Sequence, residues 1–125
     1  MVNKTEQIAI DVVIKYEKKK GRNPKIVSGQ KSKHWDIESG KRLIEVKGLG
    51  AGRTSFDFWL EDSLFKLDKS TKRRYYIYVV YNIGKQPRLK ILHPDEIFKN
   101  LQKETKAWIP PAKVKQLGDE VNIRE

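Results

Sequence analysis

The sequence contains no cysteine and only two histidines among its 125 residues. Without cysteine there is neither a disulfide framework nor a thiolate metal centre, so oxygen atoms or histidine would have to hold any metal ion. The chain also lacks an apolar run of membrane-spanning length, and its first residues, MVNKTEQIAI, lack the apolar core of a signal peptide. We therefore expect a soluble, cytoplasmic protein that has no membrane partner.

Acidic residues are the minority among the charges. There are 27 lysines and arginines against 16 aspartates and glutamates, which gives a formal net charge of +11. A positive excess of this size attracts polyanions, and the phosphate backbones of nucleic acids are the commonest polyanions in cells. DNA is therefore the expected partner, although a basic composition that serves only solubility would look the same. The sequence leaves open whether RNA replaces DNA and whether the chain forms a homodimer.

The length and the apolar pattern predict one α/β domain over residues 1–125. Asn3 is expected to cap the first helix, and the segment YYIYVVYN has the aromatic and β-branched content of a central strand. We predict a mixed central β-sheet flanked by helices. The predicted helices cover residues 4–20, 61–70 and 94–102, the predicted strands cover residues 25–28, 55–60, 75–82 and 88–93 with two more within 35–48, and an irregular tail covers residues 103–125.

The stretch WDIESGKRLIEVKG, residues 35–48, predicts a hairpin of two strands. If residues 39–40 form a two-residue turn, Ile37 pairs with Arg42. In that register four apolar residues share one face of the hairpin, as a core requires: Trp35, Ile37, Ile44 and Val46.

The opposite face of this hairpin carries charge. It contains Asp36, Glu45 and Lys47, and Asp36 lies diagonally across from Glu45, with Cβ atoms about 7 Å apart. Two carboxylates at that distance are suited to hold Mg²⁺ or Mn²⁺. Such an ion polarises a scissile phosphate and lowers the pKa of a water molecule, while Lys47 can orient that water or stabilise the charge of the transition state. Alternatively, the three side chains form ordinary salt bridges on an exposed hairpin.

The pattern of Asp36, eight residues and then Glu45-Val46-Lys47 resembles the signature of the PD-(D/E)XK nuclease superfamily. Residues 5–94 more closely resemble a family within it, the NO VEIN C-terminal-like domains. The segments that carry this resemblance are TEQIAIDVVIKYEKKKG, HWDIES, RLIEVKG, FDFWLEDS and YYIYVVYNIGKQPRL.

The resemblance implies a restriction-endonuclease-like core in the order helix, three to four strands, helix, strand. It also implies an active site at the edge of the second and third strands, with the Val46 carbonyl joining Asp36 and Glu45 around the metal ion. A glutamate of the first helix often joins such a site. Glu6 is the best match for that residue, and Glu17 is the second choice.

The sequence departs from the family pattern at two places. His34 stands where the family commonly has glycine, and Ser63 stands near the position of a glutamate, with Glu61 and Asp62 just before it. These departures leave the residues proposed to bind metal intact.

Basic residues outside the hairpin are candidates for contacts with nucleic acid. The segment GLGAGRTS lacks the Gly-Lys-Ser/Thr ending of a P-loop, so we interpret it as a loop at the border of the site. For each basic residue an ordinary solvated side chain is the alternative. The candidates are Lys31, Lys33, His34, Arg53, Lys72, Arg73 and Arg74.

We therefore expect a magnesium-dependent deoxyribonuclease in which water attacks the phosphodiester. The alternative is a module of the same fold that binds nucleic acid or a protein without cutting.

Overall fold

The computed structural model describes residues 3–30, 32–103 and 107–123. Within these residues the predicted mixed α/β fold is confirmed. The helices are α1 (Lys4–Lys19), α2 (Lys69–Lys72), α3 (Pro94–Asn100) and α4 (Pro111–Gln116), with a 3₁₀ helix at Asp62–Lys66. The strands are β1 (Lys25–Ile26), β2 (Ile37–Ser39), β3 (Arg42–Gly50), β4 (Tyr75–Ile83), β5 (Arg88–Leu92), β6 (Gln102–Lys103), β7 (Ala107–Trp108) and β8 (Asp119–Val121).

Six strands form one mixed sheet in the order β1-β2-β3-β4-β5-β8. The pair β3 and β4 is parallel, and the other neighbours in this sheet are antiparallel. The predicted central strand is confirmed, since β4 lies between β3 and β5 and is buried along most of its length. Two parallel strands must be joined by a crossover connection. The crossover from β3 to β4 contains the 3₁₀ helix and α2.

Helices cover both faces of the sheet. We call the apolar residues under α1 the α1-side cluster and those on the opposite face the α3-side cluster. The α1-side cluster contains Ala9, Val13, Ile37, Ile44, Tyr78, Val80, Ile83, Leu89 and Ile91. The α3-side cluster contains Leu49, Phe58, Leu60, Leu64, Tyr75, Ile77, Val79, Leu92, Ile97, Ala107, Ile109 and Val114. Within the described residues, no helix is both long and apolar enough to cross a membrane.

Helix α1 begins as predicted. The Asn3 side chain accepts a hydrogen bond of 2.8 Å from the Glu6 backbone N–H, which satisfies one of the free donors of the first turn. The helix then lies against β3 at Gly48, where a Cβ atom would be 3.0 Å from Ala9 Cβ and 3.1 Å from the Thr5 carbonyl oxygen. Glycine at this position therefore permits the close approach of helix and strand.

The predicted register of the hairpin is wrong by two residues. Ile37 pairs with Ile44, and Ser39 pairs with Arg42, so the turn consists of Gly40 and Lys41. Gly40 has a φ of 58°, a conformation that favours glycine, and a two-residue loop with glycine first suits the twist of paired strands. A shift of two residues keeps the side chains of the paired strands β2 and β3 on their predicted faces, because side chains alternate with a period of two.

Trp35 departs from the face that we predicted for it. It lies before β2, where the chain bends and strand alternation does not apply. Its indole N–H donates to the Glu38 carboxylate at 2.8 Å, and its ring packs against the α3-side cluster, whereas Ile37 and Ile44 belong to the α1-side cluster.

The prediction of a strand at residues 55–60 is also wrong. Phe58 and Leu60 are buried, but the segment has no ladder partner beyond one bridge between Leu60 and Ala107 among the described residues. An irregular extended segment can thus show the same alternating burial as a strand. Alternate side chains are buried wherever one side of the segment packs on a core, whereas a β-strand also requires hydrogen bonds to the backbone of a neighbouring strand.

The irregular tail predicted for residues 103–125 is wrong where the structure describes it. This part contains β7, α4 and β8, and β8 pairs with β5 at the edge of the main sheet. Ala107, Ile109 and Val114 are at most 1% exposed. The burial of these apolar residues orders the segment, although they are too irregularly spaced to reveal an element in the sequence.

Candidate active site

A cleft of about 930 Å³ opens at the uncovered edge of β3. β2 pairs only with residues 42–44 of β3, so beyond them β3 has a described strand neighbour on the β4 side alone. The first turns of α1 form another wall of the cleft, because Gly48 lets α1 lie close to β3. The cleft brings together six residues predicted from the sequence: Glu6, Asp36, Glu45, Val46, Lys47 and Arg53.

Asp36 is held in place at the point where β2 begins. Its backbone N–H donates to the Ile44 carbonyl at 2.9 Å, and its carboxylate accepts from the Val46 N–H at 2.8 Å. The side chain thus satisfies a backbone donor of β3 that a longer β2 would have paired. One oxygen of Asp36 is engaged in this bond, and the other has no hydrogen-bond partner among the described residues.

Glu45 and Lys47 stand two residues apart on β3 and therefore on the same face. The Lys47 ammonium lies 3.2 Å from Glu45 Oε2, and the side chains of Lys47 and Glu45 are 24% and 19% exposed. The pair is therefore largely withdrawn from solvent, unlike the exposed salt bridges that form the alternative interpretation of this hairpin.

The carboxyl group of Glu45 is unusually hard to ionise. Burial is the largest cause and raises its pKa to about 7, and the negative charges of Asp36 and Glu61 act in the same direction. Lys47 lowers this pKa but does not compensate for the loss of solvent. A strongly perturbed carboxyl in a cleft is typical of a functional site.

The donor set suits a magnesium or manganese ion. Such an ion is bound through one or two carboxylates and keeps several waters, and the cleft offers Asp36 and Glu45 together with backbone oxygen. A cation would also compensate the unfavourable charge of Glu45. Across residues 3–30, 32–103 and 107–123 there is no group of three or more acids and histidines placed to hold a metal ion.

The two candidate acids of α1 lie in different surroundings. Glu6 is exposed and lines the cleft, but it forms no group of three with the other two acids, so its role as a ligand stays a prediction. Glu17 is fully buried and accepts hydrogen bonds from Arg22 at 2.8 Å and Tyr78 at 2.7 Å. Glu17 therefore serves the interior rather than the cleft.

Glu61 is a residue of the site region to which sequence reasoning assigned no role. Its Oε2 lies 3.0 Å from His34 Nδ1 and accepts a hydrogen bond from Ser63 at 3.2 Å. Its charge contributes to the raised pKa of Glu45. The signal in the sequence was the acidic pair after FDFWL, but the irregular path of that segment hid how near it comes to β3.

The predicted nucleic-acid contacts are spread over the surface. Arg53 lines the cleft and donates to the Asp57 carbonyl at 2.6 Å, whereas Lys33 is paired with Glu38 at 2.7 Å. Lys72 and Arg73 line a different depression. Arg74 donates a hydrogen bond to the Lys41 carbonyl at 2.9 Å. Lys31 lies outside the residues that the structure describes.

Most of the chain is similar to one protein family. A family model described as Protein NO VEIN, C-terminal, matches residues 5–92 of the chain. No curated protein and no solved structure matches the chain. The matched region contains α1 except its first residue, the six cleft residues predicted from the sequence, and strands β1 to β5, which is more than half of the sequence. The chain therefore belongs to the family of the NO VEIN C-terminal domain.

Proposed function

We propose that this chain is a metal-dependent nuclease of the PD-(D/E)XK superfamily that hydrolyses phosphodiester bonds in DNA. The observation that carries the proposal is the Glu45 carboxyl, with a pKa of about 7, beside Asp36 and Lys47 in an open cleft. A carboxylate that ionises unfavourably in the folded protein is stabilised when a divalent cation binds it. The net charge of +11 supports a polyanionic substrate.

Asp36 and Glu45 would hold Mg²⁺ or Mn²⁺, with the Val46 carbonyl as a further oxygen. When bound, the ion supplies positive charge that polarises the scissile phosphate and lowers the pKa of a water molecule. The bond from Asp36 to the Val46 N–H keeps its carboxylate at the edge of β3, so this ligand is oriented before substrate arrives.

Lys47 acts on the reacting phosphate. Its ammonium is paired with Glu45 in the structure, and neutralisation of Glu45 by a cation makes it available to a phosphate oxygen or to the attacking water. The water oxygen forms a bond to phosphorus and gives up a proton to solvent, while the bond from phosphorus to the leaving oxygen breaks. The leaving oxygen then takes a proton from solvent.

A module that binds nucleic acid or a protein without cutting is the second candidate. One observation favours it, namely that the described residues hold no group of three acids and histidines placed to bind a metal ion. Many metal-dependent hydrolytic sites use more ligands than Asp36 and Glu45 provide, although Mg²⁺ is often bound through only one or two carboxylates.

The test is cleavage of a panel of duplex, single-stranded and branched DNAs with Mg²⁺ or Mn²⁺. Lys47→Ala keeps both proposed ligands, so metal and DNA binding should persist while cleavage falls about 100-fold or more, as after loss of a transition-state donor. Asp36→Asn removes ligand charge and should weaken metal binding as well. Lys115→Ala removes an exposed cation of α4 that lies outside the cleft, and it should cut like the wild type.

The binding module predicts the opposite results. The wild type would cut none of the DNAs with any divalent metal, calorimetry would detect no ion at millimolar concentration, and DNA affinity would be indifferent to both substitutions. That set of results would replace the nuclease proposal with the binding one.

A further inference from the structure

A second depression lies where β4 begins and β5 ends. Its volume of about 500 Å³ falls in the range of about 300–1,000 Å³ that is usual for small-ligand sites. Its lining combines cations with aromatic rings, namely Lys69, Lys72, Arg73, Tyr76, His93 and Phe98. We call it the aromatic pocket.

The cations of the aromatic pocket are not neutralised by neighbouring acids. Lys69, Lys72 and Arg73 make no ion pair within the part of the chain that the structure describes. Asp95 also lines the pocket, so three cations face one acid. Nearby Asp68 is engaged as the cap of α2, where it accepts from the Thr71 N–H at 2.7 Å. The pocket therefore favours an anionic ligand.

The rings of the pocket are held by contacts with other side chains. Phe98 packs edge to face with Tyr75 at 5.9 Å between centroids, and Tyr76 packs likewise with His93 at 5.6 Å. The Arg42 guanidinium lies 4.3 Å from the centre of the Tyr76 ring. These contacts fix the rings before any ligand binds, which lowers the entropy lost on binding.

A cation lies over one of these rings. The Lys72 ammonium is 5.3 Å from the centroid of Phe98, and its long flexible side chain allows it to move off the ring when a flat group stacks there. A ligand with a flat aromatic group and a phosphate matches this arrangement, because the flat group can stack on Phe98 while Lys72 and Arg73 contact the phosphate. A nucleotide has both parts, whereas an acidic peptide would use only the cations.

We propose that the aromatic pocket binds one unpaired nucleotide of single-stranded DNA, with its base on Phe98 and its phosphate on Lys72 and Arg73. Bases of a duplex are stacked on one another, so only an unpaired base presents a free face to a protein ring. The proposal rests on the proposed function in one respect, since the polymer is taken to be the one that the cleft would cut. Tyr76 of the aromatic pocket lies on β4 and pairs with Ile44 of β3, the residue before Glu45, so neighbouring strands of one sheet carry the two places.

The first test isolates the phosphate contacts. Fluorescence anisotropy measures the affinity for a short labelled oligodeoxycytidylate in EDTA, where no cleavage occurs. The variant Lys72→Gln with Arg73→Gln removes two proposed contacts, so the slope of log affinity against log salt should become shallower by about 1.4. The matched control is Lys15→Gln with Lys19→Gln, two exposed cations of α1 that lie outside the aromatic pocket, and its slope should equal that of the wild type.

The second test isolates stacking. The wild type should bind the normal oligonucleotide about fivefold or more tightly than one with abasic positions. Phe98→Leu should abolish that preference, and Phe98→Tyr should keep it because the ring is retained. Thermal melting identifies any variant that fails to fold. If Phe98→Leu is such a variant, the wild type still decides the question, because equal affinity for the normal and the abasic oligonucleotide would mean that no base stacks.

Three results would overturn the proposal. If Phe98→Leu weakens both oligonucleotides equally, no base stacks there. If the Lys72 and Arg73 double variant has the same salt slope as the Lys15 and Lys19 control, no phosphate is bound in the pocket. If oligocytidylate RNA binds more tightly than the oligodeoxycytidylate, the ligand is not DNA. Failure of the nuclease proposal is seen separately. If the wild type binds the oligonucleotides as described but never cuts DNA with Mn²⁺, the nuclease proposal is refuted and the aromatic pocket stands. If the wild type cuts DNA but the two double variants have the same salt slope, the aromatic pocket is refuted and the nuclease proposal stands.

Discussion

Replacing Glu45 by glutamine should stabilise the domain, and more so as the pH rises. The substitution keeps the size and shape of the side chain but removes the charge that burial makes unfavourable. In the folded protein burial raises the pKa of Glu45 to about 7, against an ordinary value of 4.5. The folded state therefore holds a proton between these values that the unfolded state has lost, and the free energy of unfolding of the wild type falls as the pH rises through this window.

The size of the effect follows from the difference in pKa. Each pKa unit corresponds to about 1.4 kcal/mol, so complete ionisation of Glu45 costs the folded state about 3 kcal/mol. Below the ordinary pKa a glutamine and a protonated glutamic acid are nearly equivalent. Above the raised pKa, Glu45→Gln should exceed the wild type in free energy of unfolding by about 3 kcal/mol.

Urea denaturation followed by circular dichroism measures this difference at about pH 5 and about pH 8. Glu17→Gln is the matched control, since Glu17 is also a buried glutamate of the same size. Burial by itself raises the pKa of Glu17, but hydrogen bonds from Arg22 and Tyr78 outweigh it and leave that pKa below the ordinary value. Its charge therefore stabilises the fold at both pH values, which lie above the ordinary pKa. Glu17→Gln should lose about 3 kcal/mol at each of them, as expected when one partner of a buried ion pair is removed, so its difference from the wild type should change little between them.

The reasoning on Glu45 is refuted if the difference between Glu45→Gln and the wild type stays constant between the two pH values. Such a result would mean that the carboxylate is well solvated in the cleft. The raised pKa, and with it the main support for a cation beside Asp36, would then be withdrawn.

Three further predictions concern the surface, the cleft wall and the C-terminal segment. Charge reversal at Arg73 and Arg74 should weaken binding to all DNA sequences about equally, because phosphate contacts carry no base information, and gel-shift titrations with unrelated sequences check this. Gly48→Ala should destabilise the domain by about 1–3 kcal/mol, because its Cβ atom would press on Ala9 and the Thr5 carbonyl, and thermal melting measures the loss. Ile109→Ala should cost about 2–5 kcal/mol in urea denaturation, since the side chain is 1% exposed; a neutral result would mean that the C-terminal segment is not part of the core.

The sequence by itself determined the fold class and the composition of the faces. The capped α1 and the apolar β4 were predicted from patterns within about ten residues, where local spacing decides which side chains can be buried together. Asp36, Glu45 and Lys47 reached a common cleft although the predicted register was wrong. For Glu45 and Lys47 the reason is that strand faces depend only on whether a shift is odd or even, so moving the turn from residues 39–40 to Gly40 and Lys41 left both on the same face. Asp36 lies in the bend before β2 and is held at this edge by the hydrogen bond from the Val46 N–H.

Only the tertiary structure decided the features that depend on contacts distant in sequence. Ile109 and Val114 have no periodic pattern around them, and they are ordered because an apolar surface of the sheet is there to receive them. The approach of α1 to Gly48 and of Glu61 to Glu45 likewise depends on elements far apart in the chain. The raised pKa of Glu45 is the clearest example of such a feature. Every glutamate begins with the same ordinary pKa, and here the folded protein raises it by removing water and by bringing other negative charges near.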